Sequence, residues 1–160
     1  MESESVKKSD STSPTALTPD FYHPVKEILT AARHSAYRAA NFAMVQAYWE
    51  IGRSIVEQQG GERAEYGKRL VAELSKRLTA DFGKGFDKRN LWNMRSFYLA
   101  FPKVNALRTQ LSWTHYRALL KVKDAEARTW YMNECADANW STRQLERQIE
   151  EGIPGECIPE

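Results

Sequence analysis

No stretch of the 160 residues approaches the roughly 20 consecutive apolar side chains needed to cross a bilayer, and the N-terminus has no hydrophobic signal core. No membrane contact is expected. Cysteine is scarce: only Cys135 and Cys157, with no CxxC and no Cys/His partner, which argues against a disulfide scaffold and a metal site. Without an export signal, a reduced cytoplasmic setting is expected. Alternating strand patterns and internal repeats are missing as well. The most local absence is of negative charge. Between residues 84 and 123 there is one carboxylate, Asp87, against nine lysines and arginines.

The overall formal charge of +2 conceals this asymmetry. Residues 1–83 carry eleven basic and eleven acidic groups, residues 84–123 reach +8, and residues 124–160 hold three basic against nine acidic groups, giving −6. An unneutralised basic block attracts polyanions. The competing reading is that the acidic C-terminal part folds back and neutralises it. Five Trp and seven Tyr supply large side chains for a single-domain core.

Residues 1–19, rich in Ser and Thr and poor in large apolar groups, predict a disordered tail, and 152–160 are a Pro- and Gly-rich C-terminal tail. Between them the pattern is helical throughout. Order should begin near "DFYHP", with Pro24 in a first helical turn. Apolar residues at steps of three and four predict one long helix, or two in line, over 25–59, halted by Gly60 and Gly61. A helix over 63–82 carries Tyr66, Leu70, Leu74, Leu78 and Phe82 at strict four-residue spacing. "FGKGF" breaks it, Asp87 caps a helix over 88–101, and Pro102 ends that one. Ser112 opens a fourth helix and Asp124 a fifth. Ser141 with Gln144 forms a capping-box pattern for a sixth, to about Glu151. The fold class is all-α, a multi-helix domain of five to seven helices over residues 20–151, with one long N-terminal helix.

The 88–101 helix predicts two faces. Leu91, Met94, Tyr98 and Phe101 form the core stripe, while Arg89, Asn93 and Ser96 lie opposite, flanked by Lys88, Asn90 and Trp92. Leu70, Leu74 and Leu78 should meet Leu91 and Met94. Arginine and asparagine make bidentate contacts with guanine and adenine edges, and lysine finds phosphates. With the preceding helix and its glycine turn, this makes a helix-turn-helix-like unit, with a turn longer than usual. The nominated nucleic-acid-binding residues are Lys84, Lys88, Arg89, Asn90, Asn93, Ser96, Arg117, Lys121 and Lys123. Arg95, one turn after Leu91, either joins this basic face or pairs with an acid inside the domain. His115, lacking a second His or Cys, is expected to pack and cap.

Residues 111–150 resemble the DNA-binding segment of ParB-type partition proteins through Leu111, Ser112, His115, Leu119, Leu120, Asp124, Ser141, Arg143 and Leu145. A longer likeness covers about 25–150. "AYWEIGRSIVEQQ", "YGKRLVAELSKRLTADFGKGFDKRNLWNMRSFYLAFP" and "LSWTHYRALLKVKDAEARTWYMNECADANWSTRQLERQI" resemble, in order and spacing, the N-terminal domain of YhcG-like PD-(D/E)XK nucleases. That family's Gly-Phe-Ser-x-Arg-Asn-Leu-x-x-Met-Arg-x-Phe-Tyr pattern is met at Gly85, Phe86, Arg89, Asn90, Leu91, Met94, Arg95, Phe97 and Tyr98, with Asp87 in place of Ser. The resemblance implies a helical DNA-binding domain that precedes a nuclease. The sequence ends at "EGIPGECIPE", so the nuclease part is expected to be missing.

A PD-(D/E)XK centre needs clustered carboxylates with an acid-x-Lys triplet, and no Asp or Glu here has Lys two positions on. "GGERAEYGKR" fails as a phosphate loop because five residues separate Gly61 from Gly67 and Arg69 replaces the Ser/Thr. No nucleophile-elbow pattern is present. The sequence thus predicts a non-enzymatic chain with no catalytic residues, metal or cofactor, whose partner is DNA, gripped mainly through phosphates. A homodimer or a nuclease subunit is a further expected partner. The alternative is a protein-interaction or dimerisation module without nucleic-acid contact, built on the long helix and Trp49, Trp92, Trp113, Trp130 and Trp140.

Overall fold

A computed structural model describes residues 17–60 and 64–152. Most of the predicted N-terminal tail, Gly61, Cys157 and nearly all of the C-terminal tail lie outside the described residues. Six α-helices and one 3-10 turn, Val104–Ala106, make up the described chain, with no strand. They are α1 Pro19–Gln59, α2 Ala64–Phe82, α3 Lys88–Ala100, α4 Trp113–Leu119, α5 Ala125–Ala138 and α6 Thr142–Glu151.

α1 is one continuous helix of 41 residues. It starts a turn earlier than the sequence suggested. The Thr18 hydroxyl accepts a hydrogen bond from the Phe21 N–H at 3.2 Å, and Pro19 occupies the first position, where no amide is required. Pro24 therefore sits inside the helix rather than in its first turn. The chain divides at Tyr37 into two units. In the first, every described residue is exposed.

In the second unit, Val45, Trp49, Gly52 and Ile55 form the buried stripe of α1. Gly52 is required by a close approach: a Cβ there would overlap the backbone carbonyl of Met94 on α3. Trp49 Nε1 donates to the Phe101 carbonyl at 2.7 Å, which satisfies a C-terminal acceptor of α3 just before Pro102.

Two clusters make the core. The smaller contains Ile55, Val71, Leu91 and Met94, with Leu74 and Leu78 half-buried against it. Val71, not Leu70, is the buried centre of α2, and Phe82 is exposed. The strict four-residue stripe misled because each such step advances 400°, a drift of about 40° per step at 3.6 residues per turn. Over 66 to 82 the stripe winds away from any one neighbour. The larger cluster gathers Phe97, Phe101, Leu111, Tyr116, Leu119, Met132, Cys135 and Leu145 with others. Phe97, fully buried, belongs to the α3 core stripe, whereas Tyr98 is half-buried and stacks edge-on to Trp49.

The predicted caps form. Asp87 Oδ1 accepts from the Asn90 N–H at 2.9 Å, and Asp124 Oδ2 from the Ala127 N–H at 2.8 Å. Ser141 and Gln144 exchange reciprocal bonds of 3.1 and 2.8 Å. α5 ends on Asn139 in the left-handed conformation (φ 60°), so residues 139–141 alone turn the chain into α6.

Candidate nucleic-acid interface

Burying Leu91, Met94 and Phe97 turns the opposite side of α3 outward. Arg89 and Ser96 are exposed there, and Asn93 is half-exposed. α4 packs beside α3 through aromatic rings: Phe97 lies 5.2 Å from Trp113 and 4.9 Å from Tyr116, centroid to centroid. This contact brings Arg117, Lys121 and Lys123, on α4 and the turn after it, towards the outward face of α3.

The result is an open groove of about 860 Å³. α3 contributes Arg89, Asn93, Ser96, Leu99 and Ala100. Thr114, Arg117, Leu120, Lys121 and Lys123 come from α4 and its exit, Ala125 and Arg128 from α5, and Thr142 and Glu146 from α6. Five cations therefore face one carboxylate, Glu146. Among the described residues, the side chains of Arg89, Arg117, Lys121 and Lys123 make no ion pair. Gathered like charges repel one another and gain when an anion enters. Among the described residues no aromatic side chain lines the groove.

Six of the nine nominated residues, Arg89, Asn93, Ser96, Arg117, Lys121 and Lys123, line this groove. Lys84 and Lys88 are exposed near the start of α3 but do not line it. Asn90 lies at a smaller adjoining recess and is committed to the fold: its Nδ2 donates to the Gly85 carbonyl at 2.8 Å, and its Oδ1 accepts from Trp113 Nε1 at 3.1 Å. Among the described residues Arg95 pairs with no acid. Its Nε donates to Gln59 Oε1 at 2.7 Å, and its guanidinium lies 5.3 Å from the Trp92 ring centre. Arg108, counted in the basic block, is bound to Asn133 and Asp137 at 2.8 Å each. Among the described residues it makes the one ion pair between that block and the acidic C-terminal part. Among the described residues, ion pairing by the acidic C-terminal part thus reaches one arginine of the block.

Arg128, Thr114 and Thr142 were not nominated from the sequence. Arg128 rests 5.8 Å from the Phe101 ring centre, its Nη2 donates to the Lys123 carbonyl at 3.4 Å, and its buried Nε has no hydrogen-bond partner. The Thr114 and Thr142 hydroxyls meet at 2.9 Å, joining the starts of α4 and α6. His115 fixes the same junction. Its Nδ1 accepts from the Ser112 N–H at 3.0 Å and its Nε2–H donates to the Trp140 carbonyl at 2.9 Å, so both ring nitrogens are used.

Two buried groups stiffen the support. The Tyr116 hydroxyl accepts from the Arg108 N–H at 2.8 Å and donates to the Arg108 carbonyl at 3.1 Å, while burial pushes its ionisation well above the usual phenol range. Burial also raises the Cys135 thiol to about 11, and its Sγ donates to the Trp140 carbonyl at 3.7 Å. Of the five tryptophans, Trp49 is buried and the other four are half-buried, leaving no tryptophan patch on the surface.

Comparison with known proteins then places the chain. The family model for the DUF1016 N-terminal domain matches residues 24–153. The chain belongs to this family. It is also 37% identical over 156 residues to "Putative nuclease YhcG" of Escherichia coli (strain K12), covering 76% of this chain and 42% of that protein. The chain thus spans less than half the length of that relative. No solved structure matches the chain. The resemblance to YhcG-like N-terminal domains and the all-α expectation hold. Among the described residues no helix is long and apolar enough to cross a membrane.

Proposed function

We propose that this DUF1016 N-terminal domain binds duplex DNA through the α3–α4 groove and positions it, without cleaving it. The observation that carries this reading is the groove's charge: Arg89, Arg117, Lys121, Lys123 and Arg128 against Glu146 alone. A relative named "Putative nuclease YhcG" makes nucleic acid the natural polyanion. The groove lacks the aromatic platforms on which single-stranded bases stack, which favours a duplex gripped by its phosphates. One lining carboxylate is no basis for metal-assisted phosphodiester cleavage, which needs several.

In this reading α2, the turn at 83–87 and α3 act as a helix-turn-helix-like unit. Arg89 and Asn93, one turn apart near the start of α3, reach base edges. Arg117, Lys121, Lys123 and Arg128 hold the backbone alongside, and Lys84 and Lys88 extend the grip beyond the groove. The test is fluorescence anisotropy with labelled duplex and single-stranded oligonucleotides across a salt series. The expected result is duplex binding that weakens steeply with salt and exceeds single-strand binding. Absent binding at low salt, or a flat response, refutes the proposal.

A further inference from the structure

The first half of α1 has an apolar face with nothing against it among the described residues. Phe21, Val25, Ile28 and Leu29 are between 39% and 67% exposed, and Ala32 and Ala36 are exposed beside them. At 100° per residue these six positions fall within an arc of about 100°, the width of a core-facing stripe. A helix that presents such a stripe buries it against another element. This stretch is a unit separate from the rest of the chain.

The stripe is graded in size. Its large residues lie in the first half and its alanines in the second. We infer that this face is a self-association surface on which a second copy of the chain lies antiparallel, related by a two-fold axis near residues 28 and 29. Antiparallel pairing sets Phe21 of one copy against Ala36 of the other, Val25 against Ala32, and Ile28 against Leu29. Larger side chains then meet alanines towards both ends of the contact, while Ile28 and Leu29 meet each other at its centre, as close packing allows. Parallel pairing would stack Phe21 on Phe21 and leave a gap between the alanines. A two-fold contact uses the same patch on both copies, which is the commonest symmetry of homo-oligomers.

The area fits a weak dimer. With Tyr22 at the edge, five large side chains each expose on the order of 100 Å². Both copies together bury about 1,000 Å², the low end for a specific interface. Association is therefore concentration-dependent, and it is independent of the basic groove.

Sedimentation analysis from about 1 to about 300 µM, a range suited to weak association, tests this. The expected result is a mass that doubles with concentration, monomers for Ile28→Glu and for Leu29→Glu, and an unchanged dimer for Phe82→Ser, a control at another exposed aromatic. Circular dichroism checks that each variant remains helical. In a Cys157→Ser background, a Phe21→Cys copy should form a disulfide with an Ala36→Cys copy in preference to either forming one with itself. A chain that stays monomeric throughout overturns the inference. So does a dimer untouched by both Glu variants, or preferential Phe21→Cys self-crosslinking. Duplex affinity is not the readout, so failure here leaves the groove proposal standing, and the reverse holds too.

Discussion

If the groove holds phosphates, each cation that touches one should leave its own mark on the salt dependence. The four lining cations that hold the backbone, Arg117, Lys121, Lys123 and Arg128, should contribute about −3.6 to the slope of log affinity against log salt, at ~0.9 per phosphate. Between about 50 and about 200 mM salt this contribution is a loss of about 150-fold. Lys121→Ala removes one contact, so it should fall to about −2.7 and the loss shrink to about 40-fold. Arg89→Ala should instead weaken binding by ~1–3 kcal/mol on a preferred sequence while blunting that preference. Lys121→Ala should weaken all sequences alike. Anisotropy titrations of parent and both variants on several duplexes separate these effects. Both side chains are exposed and unpaired among the described residues, so thermal melting should barely move. Parallel salt plots for parent and Lys121→Ala would refute the phosphate assignment. Unfolding of Arg89→Ala with unchanged affinity per folded molecule would refute the base-reading role.

Three stability predictions accompany it. Phe97→Ala should cost ~3–5 kcal/mol in urea unfolding, because it removes the ring shared by Phe101, Trp113 and Tyr116; a smaller loss than Leu74→Ala would show the core is drawn wrongly. Gly52→Ala should destabilise by ~1–3 kcal/mol, since the added Cβ meets the Met94 backbone, whereas Gly→Ala at an open helix site stabilises; the sign decides. Cys135 and Tyr116 are both held protonated by burial, so their stabilisation is fully present below the ordinary values and lost above them. Cys135 should lower stability from pH 9.0 upward and Tyr116 from pH 10.0 upward, and Cys135→Ala should delay the onset of the decline.

Local features were readable because they depend on near neighbours in sequence. Asp87, Asp124 and the Ser141–Gln144 pair cap where their spacing indicates, and the break at 83–87 falls where glycines interrupt the pattern. Facing was harder. Phe97 and Tyr98 are adjacent aromatics on α3, and either continues a stripe from Met94; only the ring cluster with Trp113 and Tyr116 selects Phe97. Gly52 is the one glycine of α1, but the backbone it admits lies 42 residues away in sequence. The same holds for the groove. Its cations within 84–123 showed as a charge block, while Arg128 and Thr142 arrive through packing of α5 and α6 on α4. Asn90 looked like a base reader until Trp113 and Gly85 accounted for its amide.

The rings beneath the groove bear on how an encounter with DNA would register in a calorimeter. Phe97, Phe101, Trp113 and Tyr116 interlock at centroid separations of 4.9 to 5.6 Å, and this joins α3 to α4 before any partner arrives. A surface already assembled has little backbone freedom left to surrender on docking, and the main ordering cost falls on the exposed Arg89, Arg117, Lys121 and Lys123 side chains. The exposed large apolar side chain lining the groove is Leu99, so the heat-capacity change of association should be modest and should fall in Leu99→Ala. Its favourable entropy would then come from released counterions rather than from the protein, and the chain would meet its duplex as a preformed mould.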